Sequence, residues 1–185
     1  MEAPTRQLVH YYRALRKYGL NDSHSGNASV RVENGFWITP TGANAEILEE
    51  EELVFCAWDA PLPAHASSDA ALHRQVYARI AEAGAVLHAH CPYAVALTME
   101  EDAFAPQDLE GRLFLGKEVP VLAIPVEEHF QQAPEAVAEA LAYCPVCIER
   151  AHGVYAWGKT LDHAYQLLNA LESSARLVWL RRSLR

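Results

Sequence analysis

Two histidines separated by one residue end a segment of β type. The sequence His88-Ala89-His90 closes a run that begins at Ala85. Because side chains alternate between the two faces of a strand, both imidazoles project to the same side. Such a pair can bind one metal ion; the alternative is a pair of partly buried, hydrogen-bonded histidines. His152, at the end of another predicted strand, offers a third imidazole.

An acidic residue, Asp69, lies in the first turn of a predicted helix that Ser67 and Ser68 cap. Three imidazoles and one carboxylate suit Zn²⁺ or a similar divalent ion with one position open for substrate. His73 follows Asp69 by four residues on the same helical face, so the two could instead form their own ligand pair. The other interpretation is that His73 orients Asp69 or packs against the sheet. The remaining histidines do not cluster and are interpreted as surface or core residues: His10, His24, His65, His129 and His163.

Three turns of small and hydroxyl-bearing residues precede the histidine pair. They are Ser25-Gly26-Asn27, Thr39-Pro40-Thr41-Gly42 and Ser67-Ser68. Glycine lets the backbone approach an anion closely, hydroxyls donate hydrogen bonds to it, and amides at a helix start carry partial positive charge. Each turn alone also fits ordinary turn and cap chemistry. Taken together, the three predict a cradle for a phosphate group.

Four cysteines are too few for a disulfide scaffold in a chain of 185 residues. Cys144 and Cys147 have the spacing of a redox motif or of half a zinc site. Because no second such pair exists in the sequence, we interpret them as buried structural thiols.

The composition is that of a globular protein with an acidic surface. With 15 Lys and Arg against 24 Asp and Glu, the formal net charge is −9. This balance argues against a nucleic-acid partner and against a basic membrane-binding patch. No apolar run approaches the roughly 18 residues that span a bilayer, and the first residues do not resemble a signal peptide. We therefore expect a cytoplasmic enzyme or binding domain.

The elements that must position these residues alternate between strand and helix. Apolar spacing and caps predict helices at Thr5 to Tyr18, Ser67 to Ala83, Tyr93 to Met99, Pro134 to Tyr143 and Leu161 to Arg182. Strands are predicted at Ala28 to Val32, Gly35 to Thr39, Leu53 to Trp58, Ala85 to His88, Val119 to Val126, and Val146 to Trp157 with a break near Gly153. Glu100 to Lys117 has no readable pattern. The alternation predicts one α/β domain over residues 1–185.

Five segments, in this order, make the sequence resemble the class II aldolase and adducin family over nearly its whole length. They are Ser25-Gly26-Asn27-Ala28-Ser29, Ile38-Thr39-Pro40-Thr41-Gly42, Ser67-Ser68-Asp69, Val86-Leu87-His88-Ala89-His90, and His152-Gly153 followed by Ala156-Trp157-Gly158-Lys159. The resemblance implies a mixed central β-sheet with helices on both faces. It also implies a homotetramer with active sites at the subunit interfaces.

The resemblance further implies a role for each matching residue. His88, His90 and His152 would hold Zn²⁺, or manganese or cobalt as in some relatives, and Asp69 would be the catalytic base. The substrate phosphate would be bound by Gly26, Asn27, Thr41, Gly42, Ser67 and Ser68. The implied reaction is metal-dependent cleavage of a ketose 1-phosphate to dihydroxyacetone phosphate and an aldehyde through a metal-stabilised enediolate.

Other members of the same family define the alternatives. These are a pentulose-phosphate 4-epimerase, a methylthioribulose-phosphate dehydratase and a non-catalytic adducin-like module. Asp69 matches the epimerases, because the aldolases usually have Glu at this position. The tyrosine that a neighbouring aldolase subunit contributes as an acid has no counterpart in Glu101 to Glu118, where Glu110 is the candidate substitute. Retention of all three histidines favours an enzyme over the adducin-like module.

Overall fold

Eight strands form one mixed sheet in the computed structural model, which describes residues 3–184. The strands are β1 (Asn27–Val32), β2 (Gly35–Ile38), β3 (Val54–Ala57), β4 (Ala85–Ala89), β5 (Ala103–Phe104), β6 (Val119–Leu122), β7 (Val146–Glu149) and β8 (Gly153–Gly158). Their order across the sheet is β3-β2-β1-β4-β8-β7-β6-β5. Neighbouring strands are antiparallel except β6 and β7, which are parallel. The predicted mixed sheet is confirmed.

Helices cover both faces of this sheet, as predicted. They are α1 (Pro4–Lys17), α2 (Ala70–Arg79), α3 (Pro92–Leu97), α4 (Leu109–Leu115), α5 (His129–Tyr143) and α6 (Leu161–Ser183). One core cluster contains apolar residues of α1, α3, α4 and α6, and the other contains those of α2 and α5. On β4, Leu87 belongs to the first cluster and its neighbour Val86 to the second. Because side chains alternate along a strand, His88 points to the same face of the sheet as Val86, the face that α2 and α5 cover.

Most predicted elements are confirmed with small changes at their ends. The hairpin of β1 and β2 turns at Glu33 and Asn34, and the run from Val146 divides into β7 and β8. Helix α2 ends at Arg79, four residues before the predicted end at Ala83. The guanidinium of Arg31 on β1 donates to the carbonyl oxygens of Tyr77 and Ala81, which satisfies acceptors at that helix end.

The predicted start of α5 at Pro134 is wrong. The helix begins five residues earlier, at His129, directly after a short 3₁₀ turn at Val126–Glu128, and Pro134 lies inside it. Proline was interpreted as the first helical residue because its missing N–H costs nothing there. Here the packing of Ala133, Val137 and Leu141 against the sheet outweighs the lost hydrogen bond. As a consequence, a helix rather than a loop holds His129.

The segment Glu100 to Lys117, for which no element was predicted, contains β5 and α4. The strand has only two residues, too few to show a period. Asp108 caps α4 by accepting a hydrogen bond from the backbone N–H of Gly111.

Within residues 3–184, no helix is long and apolar enough to cross a membrane. The predicted strand from Val119 ends at Leu122 rather than Val126.

Candidate metal and substrate site

Three imidazoles meet at one end of the central strands. His88 lies on β4, His90 directly after it, and His152 in the turn between β7 and β8. One ring nitrogen from each of the three lies within 4.8 Å of those of the other two. The ring centroid of His152 is 4.7 Å from that of His88 and 5.5 Å from that of His90. The sheet therefore brings together the three histidines that the sequence predicts as ligands.

The ring of His88 is held by a hydrogen bond at one nitrogen and by stacking against a tyrosine. Its Nδ1 lies 3.1 Å from the carbonyl oxygen of Val154, which can only accept, so Nδ1 carries the proton and Nε2 is left bare. The ring of Tyr155 stacks on it at a centroid distance of 4.2 Å and an angle of 14°. Burial lowers the pKa of His88 to about 3, and the neutral imidazole is the form that binds a metal.

His152 is held by a tight turn and by a buried carboxylate. In this turn Ala151 has a φ of 58°, in the left-handed region, and the backbone N–H of His152 donates to the carbonyl oxygen of Glu149. The side chain of Glu149 lies 2.9 Å from Nδ1 of His152. Although burial opposes it, the hydrogen bond to Glu149 raises the pKa of His152.

The carboxylate of Asp69 faces the same space from the start of α2. It does not cap its own helix, because Nδ2 of Asn27 at 2.8 Å and the hydroxyl of Tyr155 at 3.2 Å both donate to its Oδ2. Burial alone would raise the pKa of Asp69, but His88 and the Asn27 amide outweigh it and lower that pKa. Asp69 is therefore a buried, ionised carboxylate with defined donors.

His73 does not pair with Asp69 as a metal ligand. Its side chain is fully buried, and Nδ1 lies 2.6 Å from the hydroxyl of Ser29 on β1. Among the described residues, neither cluster of ligand-type side chains that lie close together includes it. Of the two interpretations, packing against the sheet is the one observed.

The three turns and the histidines surround one cavity of about 500 Å³. All ten predicted site residues line it: Gly26, Asn27, Thr41, Gly42, Ser67, Ser68, Asp69, His88, His90 and His152. Gly26 has a φ of +70° and no room for a Cβ, which would lie 2.5 Å from the carbonyl oxygen of His88. A glycine is thus required where the first turn approaches β4. The hydroxyl-bearing turns and the imidazoles therefore line one common space.

Two histidines that were interpreted as surface or core residues also line this cavity. His24 is exposed at its edge, and His129 lies inside it at the start of α5. Nδ1 of His129 is 2.7 Å from Oε1 of Glu149, and its Nε2 is 3.6 Å from Oδ1 of Asp69. His129 and Glu149 were both missed. The available signal was a charged residue, Glu149, directly after the apolar run from Val146 to Ile148.

The remaining candidates lie elsewhere. Glu110, the proposed substitute acid, is exposed on α4 and does not line the cavity.

The four cysteines are free thiols. Cys147 is buried, as expected, whereas Cys144 is half-buried. Burial raises the pKa of both thiols, which fits unreactive structural cysteines.

The donor set fits a divalent transition metal. His88 has its bare Nε2 available, and a carboxylate fixes Nδ1 of His152, the arrangement that orients histidine ligands in metal sites. Three neutral nitrogen donors leave a position open for substrate oxygen atoms. The cavity beside them is lined with hydroxyl groups and amides suited to a small anion. Fold and site together define an α/β enzyme of the metal-dependent class.

The chain belongs to the Class II Aldolase and Adducin N-terminal domain family, whose model matches residues 6–179. Methylthioribulose-1-phosphate dehydratase from Acidiphilium cryptum is 33% identical over 90% of this chain and 85% of its own length. A 5-methylthioribulose-1-phosphate/5-deoxyribulose-1-phosphate aldolase from Rhodospirillum rubrum is 28% identical over 93% of this chain and 78% of its own. The crystal structure of L-fuculose-1-phosphate aldolase from Thermus thermophilus has a TM-score of 0.91 and 36% identity, covering 97% of this chain and 94% of that one.

These similarities confirm the predicted family and the predicted fold class. They also confirm an enzyme of the lyase type, since the relatives named are aldolases and a dehydratase. Class II aldolases depend on a divalent metal, in agreement with the histidine cluster. The relatives act on different sugar phosphates and by different reactions, so they identify the superfamily chemistry and leave the particular reaction to be tested.

Proposed function

We propose that this protein is a metal-dependent aldolase that cleaves a ketose 1-phosphate into dihydroxyacetone phosphate and an aldehyde. The observation that carries the proposal is one cavity that both the three imidazoles and the three donor-rich turns line. A ketose 1-phosphate has the matching chemistry, with a phosphate at one end and neighbouring carbonyl and hydroxyl oxygens further along. The aldolases from Rhodospirillum rubrum and Thermus thermophilus support it.

His88, His90 and His152 would hold the metal, for which Zn²⁺ is our choice because neutral imidazoles and an open position suit it. When bound, the cation supplies a positive charge that polarises the carbonyl and hydroxyl oxygens of the sugar. The protein residues do the rest. They orient the three imidazoles, and they place a carboxylate and a phosphate cradle within one cavity.

The phosphate would be bound by Gly26, Asn27, Thr41, Gly42, Ser67 and Ser68. These residues offer neutral donors, which matters in a chain with a net charge of −9 because its overall field repels anions. The attraction must therefore be local. Ser67 and Ser68 lie just before α2, where the helix N-terminus adds partial positive charge.

Asp69 would be the base. It takes the proton of the hydroxyl group on C4 of the ketose, and the electron pair of that O–H bond forms the aldehyde carbonyl. The bond between C3 and C4 breaks, its electrons move toward the polarised ketone, and a proton returned to C3 completes dihydroxyacetone phosphate. The hydrogen bonds from Asn27 and Tyr155 hold the carboxylate in place for this step.

A dehydratase is the second candidate. The dehydratase from Acidiphilium cryptum, at 33% identity, favours it. It requires the same metal and phosphate sites but removes water instead of breaking a carbon–carbon bond. 5-Methylthioribulose 1-phosphate is a useful probe, because the relatives include both an aldolase and a dehydratase named for this sugar.

The test is to incubate the Zn²⁺-loaded protein with a panel of ketose 1-phosphates that includes this sugar and L-fuculose 1-phosphate. Dihydroxyacetone phosphate is measured through its NADH-dependent reduction by a coupling enzyme. We expect it to form in step with an aldehyde, to stop after chelation and to resume when metal is restored. Consumption of a substrate without dihydroxyacetone phosphate, to a product lighter by one water, would identify the dehydratase instead. No turnover across the panel would reject both.

The rest of the proposal concerns assembly and location. We propose that residues 1–185 form one family domain that assembles as a cytoplasmic homotetramer. Val126 is 86% exposed and Phe130 is 69% exposed where they line the cavity, and a neighbouring subunit would cover such apolar side chains. Light scattering after size-exclusion chromatography would give four times the 20.5 kDa chain mass. A monomer would contradict it.

A further inference from the structure

A buried carboxylate beside the cavity has no role in the reaction proposed above. Glu149 ends β7 and is only 3% exposed. β6 and β8 pair with β7 on its two sides, so this residue lies well inside the sheet. Burying a carboxylate is costly unless hydrogen-bond donors satisfy its oxygens. The residues that satisfy it therefore indicate what it does.

Each oxygen of Glu149 has one imidazole partner. Oε1 lies 2.7 Å from Nδ1 of His129, and Oε2 lies 2.9 Å from Nδ1 of His152. A carboxylate only accepts, so both rings must carry their proton on Nδ1. The Nε2 atoms of both rings are then free to act in the cavity. One side chain thus fixes the tautomer and the orientation of two imidazoles.

The ligand atoms of His129, Glu149 and His152 lie within 4.8 Å of one another, which is also close enough for a metal ion. Their spacing fits hydrogen bonds better. Two ligands at 2.0 to 2.2 Å from one tetrahedral ion stand roughly 3.4 Å apart. The distances from the Glu149 oxygens to Nδ1 of His129 (2.7 Å) and Nδ1 of His152 (2.9 Å) are shorter than that. They are normal for an imidazole N–H that donates to a carboxylate.

We propose that Glu149 is a positioning residue that holds His152 for the metal and His129 beside Asp69. Nε2 of His129 is 3.6 Å from Oδ1 of Asp69, so the ring lies against the proposed base. Glu149 thereby joins the metal side and the base side of the cavity through hydrogen bonds. This inference rests on the proposed function, because it assigns Glu149 to the same metal site.

The test removes one acceptor without changing the shape of the side chain. Glu149→Gln keeps one oxygen as an acceptor for one imidazole. Toward the other imidazole it presents an amide NH₂, so two donors, this NH₂ and the Nδ1–H of the ring, face each other. Metal-depleted full-length protein is titrated with Co²⁺, and the visible absorption of the bound ion is followed. We expect the Co²⁺ affinity to fall about 10- to 100-fold, the usual effect of removing such a partner.

Two further variants serve as controls. Glu139→Gln removes the same charge at an exposed position of α5, and its Co²⁺ affinity should stay within about twofold of wild type. His129→Asn keeps an N–H donor for Glu149 but has no atom that corresponds to Nε2. We expect it to bind Co²⁺ like wild type, because the hydrogen bond between Glu149 and His152 remains, while turnover falls about tenfold and KM stays the same, because Asp69 loses the imidazole beside it.

Several outcomes would overturn the proposal. The first is a Co²⁺ affinity of Glu149→Gln within twofold of wild type. The second is a wild type that binds two Co²⁺ ions, one of which is lost in Glu149→Gln, since Glu149 would then be a ligand. If Glu149→Gln does not fold, ¹⁵N spectra of wild-type imidazoles decide instead. A proton on Nδ1 of His129 and His152 supports the proposal, and a proton on Nε2 of His152 with Nδ1 bare contradicts it.

The Co²⁺ titration needs no substrate, so it separates this inference from the proposed function. Weaker Co²⁺ binding by Glu149→Gln in a protein that forms no dihydroxyacetone phosphate supports the role of Glu149 and rejects the aldolase. Unchanged binding in an active aldolase rejects only the role of Glu149. A wild type that binds no Co²⁺ rejects both.

Discussion

Gly153 lies directly against the imidazole of His88. A Cβ placed on Gly153 would stand 2.6 Å from Cε1 of that ring and 2.8 Å from the carbonyl oxygen of Ala89. Real Cβ contacts are essentially never this short, so either the ring or the strand would have to move. The absence of a side chain at the start of β8 is therefore a condition for the position of His88 in the histidine cluster.

Replacing Gly153 with alanine should therefore weaken metal binding. The added methyl group displaces the His88 ring from its hydrogen bond with Val154, and we expect the Co²⁺ affinity to fall at least about tenfold. Gly19→Ala is the matched control, since Gly19 has a φ of +78° but nothing within 4 Å of its Cβ position. That variant should lose about 1 kcal/mol of stability and keep its metal affinity. Equal Co²⁺ binding by Gly153→Ala and wild type would contradict the steric argument.

Local rules explain one part of the histidine cluster, and the family resemblance explains the other. Strand alternation places His88 and His90 on one side, and antiparallel pairing of β4 with β8 brings the β7–β8 turn beside them. The pairing itself is long-range and could not be read from spacing. The expectation that His152 lies beside the other two histidines came instead from the family resemblance, which rests on the order of the five motifs.

His129 and Glu149 show where such reasoning ends. His129 was left outside any element because Pro134 was interpreted as the start of the helix, and tertiary packing overrides that local preference. Glu149 follows three apolar residues in a strand and has no partner nearby in sequence except His152. Its other partner, His129, is 20 residues away and becomes visible only when β7 and the start of α5 are placed side by side.

Asp69→Asn tests the proposed base. Asparagine keeps the size of the side chain and can still accept from Asn27, so the fold and the Co²⁺ affinity should change little. It cannot take a proton from a substrate hydroxyl, so we expect kcat to fall by about 10² or more. Steady-state kinetics with a ketose 1-phosphate and metal analysis of the same preparation provide the two measurements. A fully active variant would reject Asp69 as the base.

Inorganic phosphate should compete with the substrate at millimolar concentration, because the three turns provide donors for a free phosphate as well. Thr41→Val removes one exposed hydroxyl of the cradle with little change in shape. One lost hydrogen bond to a charged group should raise the inhibition constant of phosphate about tenfold. Metal content should not change. The cradle is rejected if phosphate does not inhibit, or if it inhibits Thr41→Val as strongly as wild type.

His73 should make the stability of the fold depend on pH. Its burial lowers the pKa of its imidazole from 6.5 to about 4, although Asp69 acts in the opposite direction. Between these two values the unfolded chain binds a proton that the folded protein does not, so protonation favours unfolding. This contribution is complete above pH 6.5, and it is lost as the pH falls to 4. A shift from 6.5 to about 4 corresponds to about 3 kcal/mol.

The measurement is urea unfolding of wild type and His73→Asn at several pH values from 7 to 4. Asparagine has an amide at the place of Nδ1 for the hydroxyl of Ser29, and it does not titrate. His88 has the same sign of pKa shift in both proteins, so its effect cancels in the comparison. The free energy of unfolding should therefore fall more steeply with acid in wild type than in His73→Asn, by about 3 kcal/mol in total. Parallel curves would mean that the pKa of His73 is the same in the folded and unfolded protein, and would contradict this prediction.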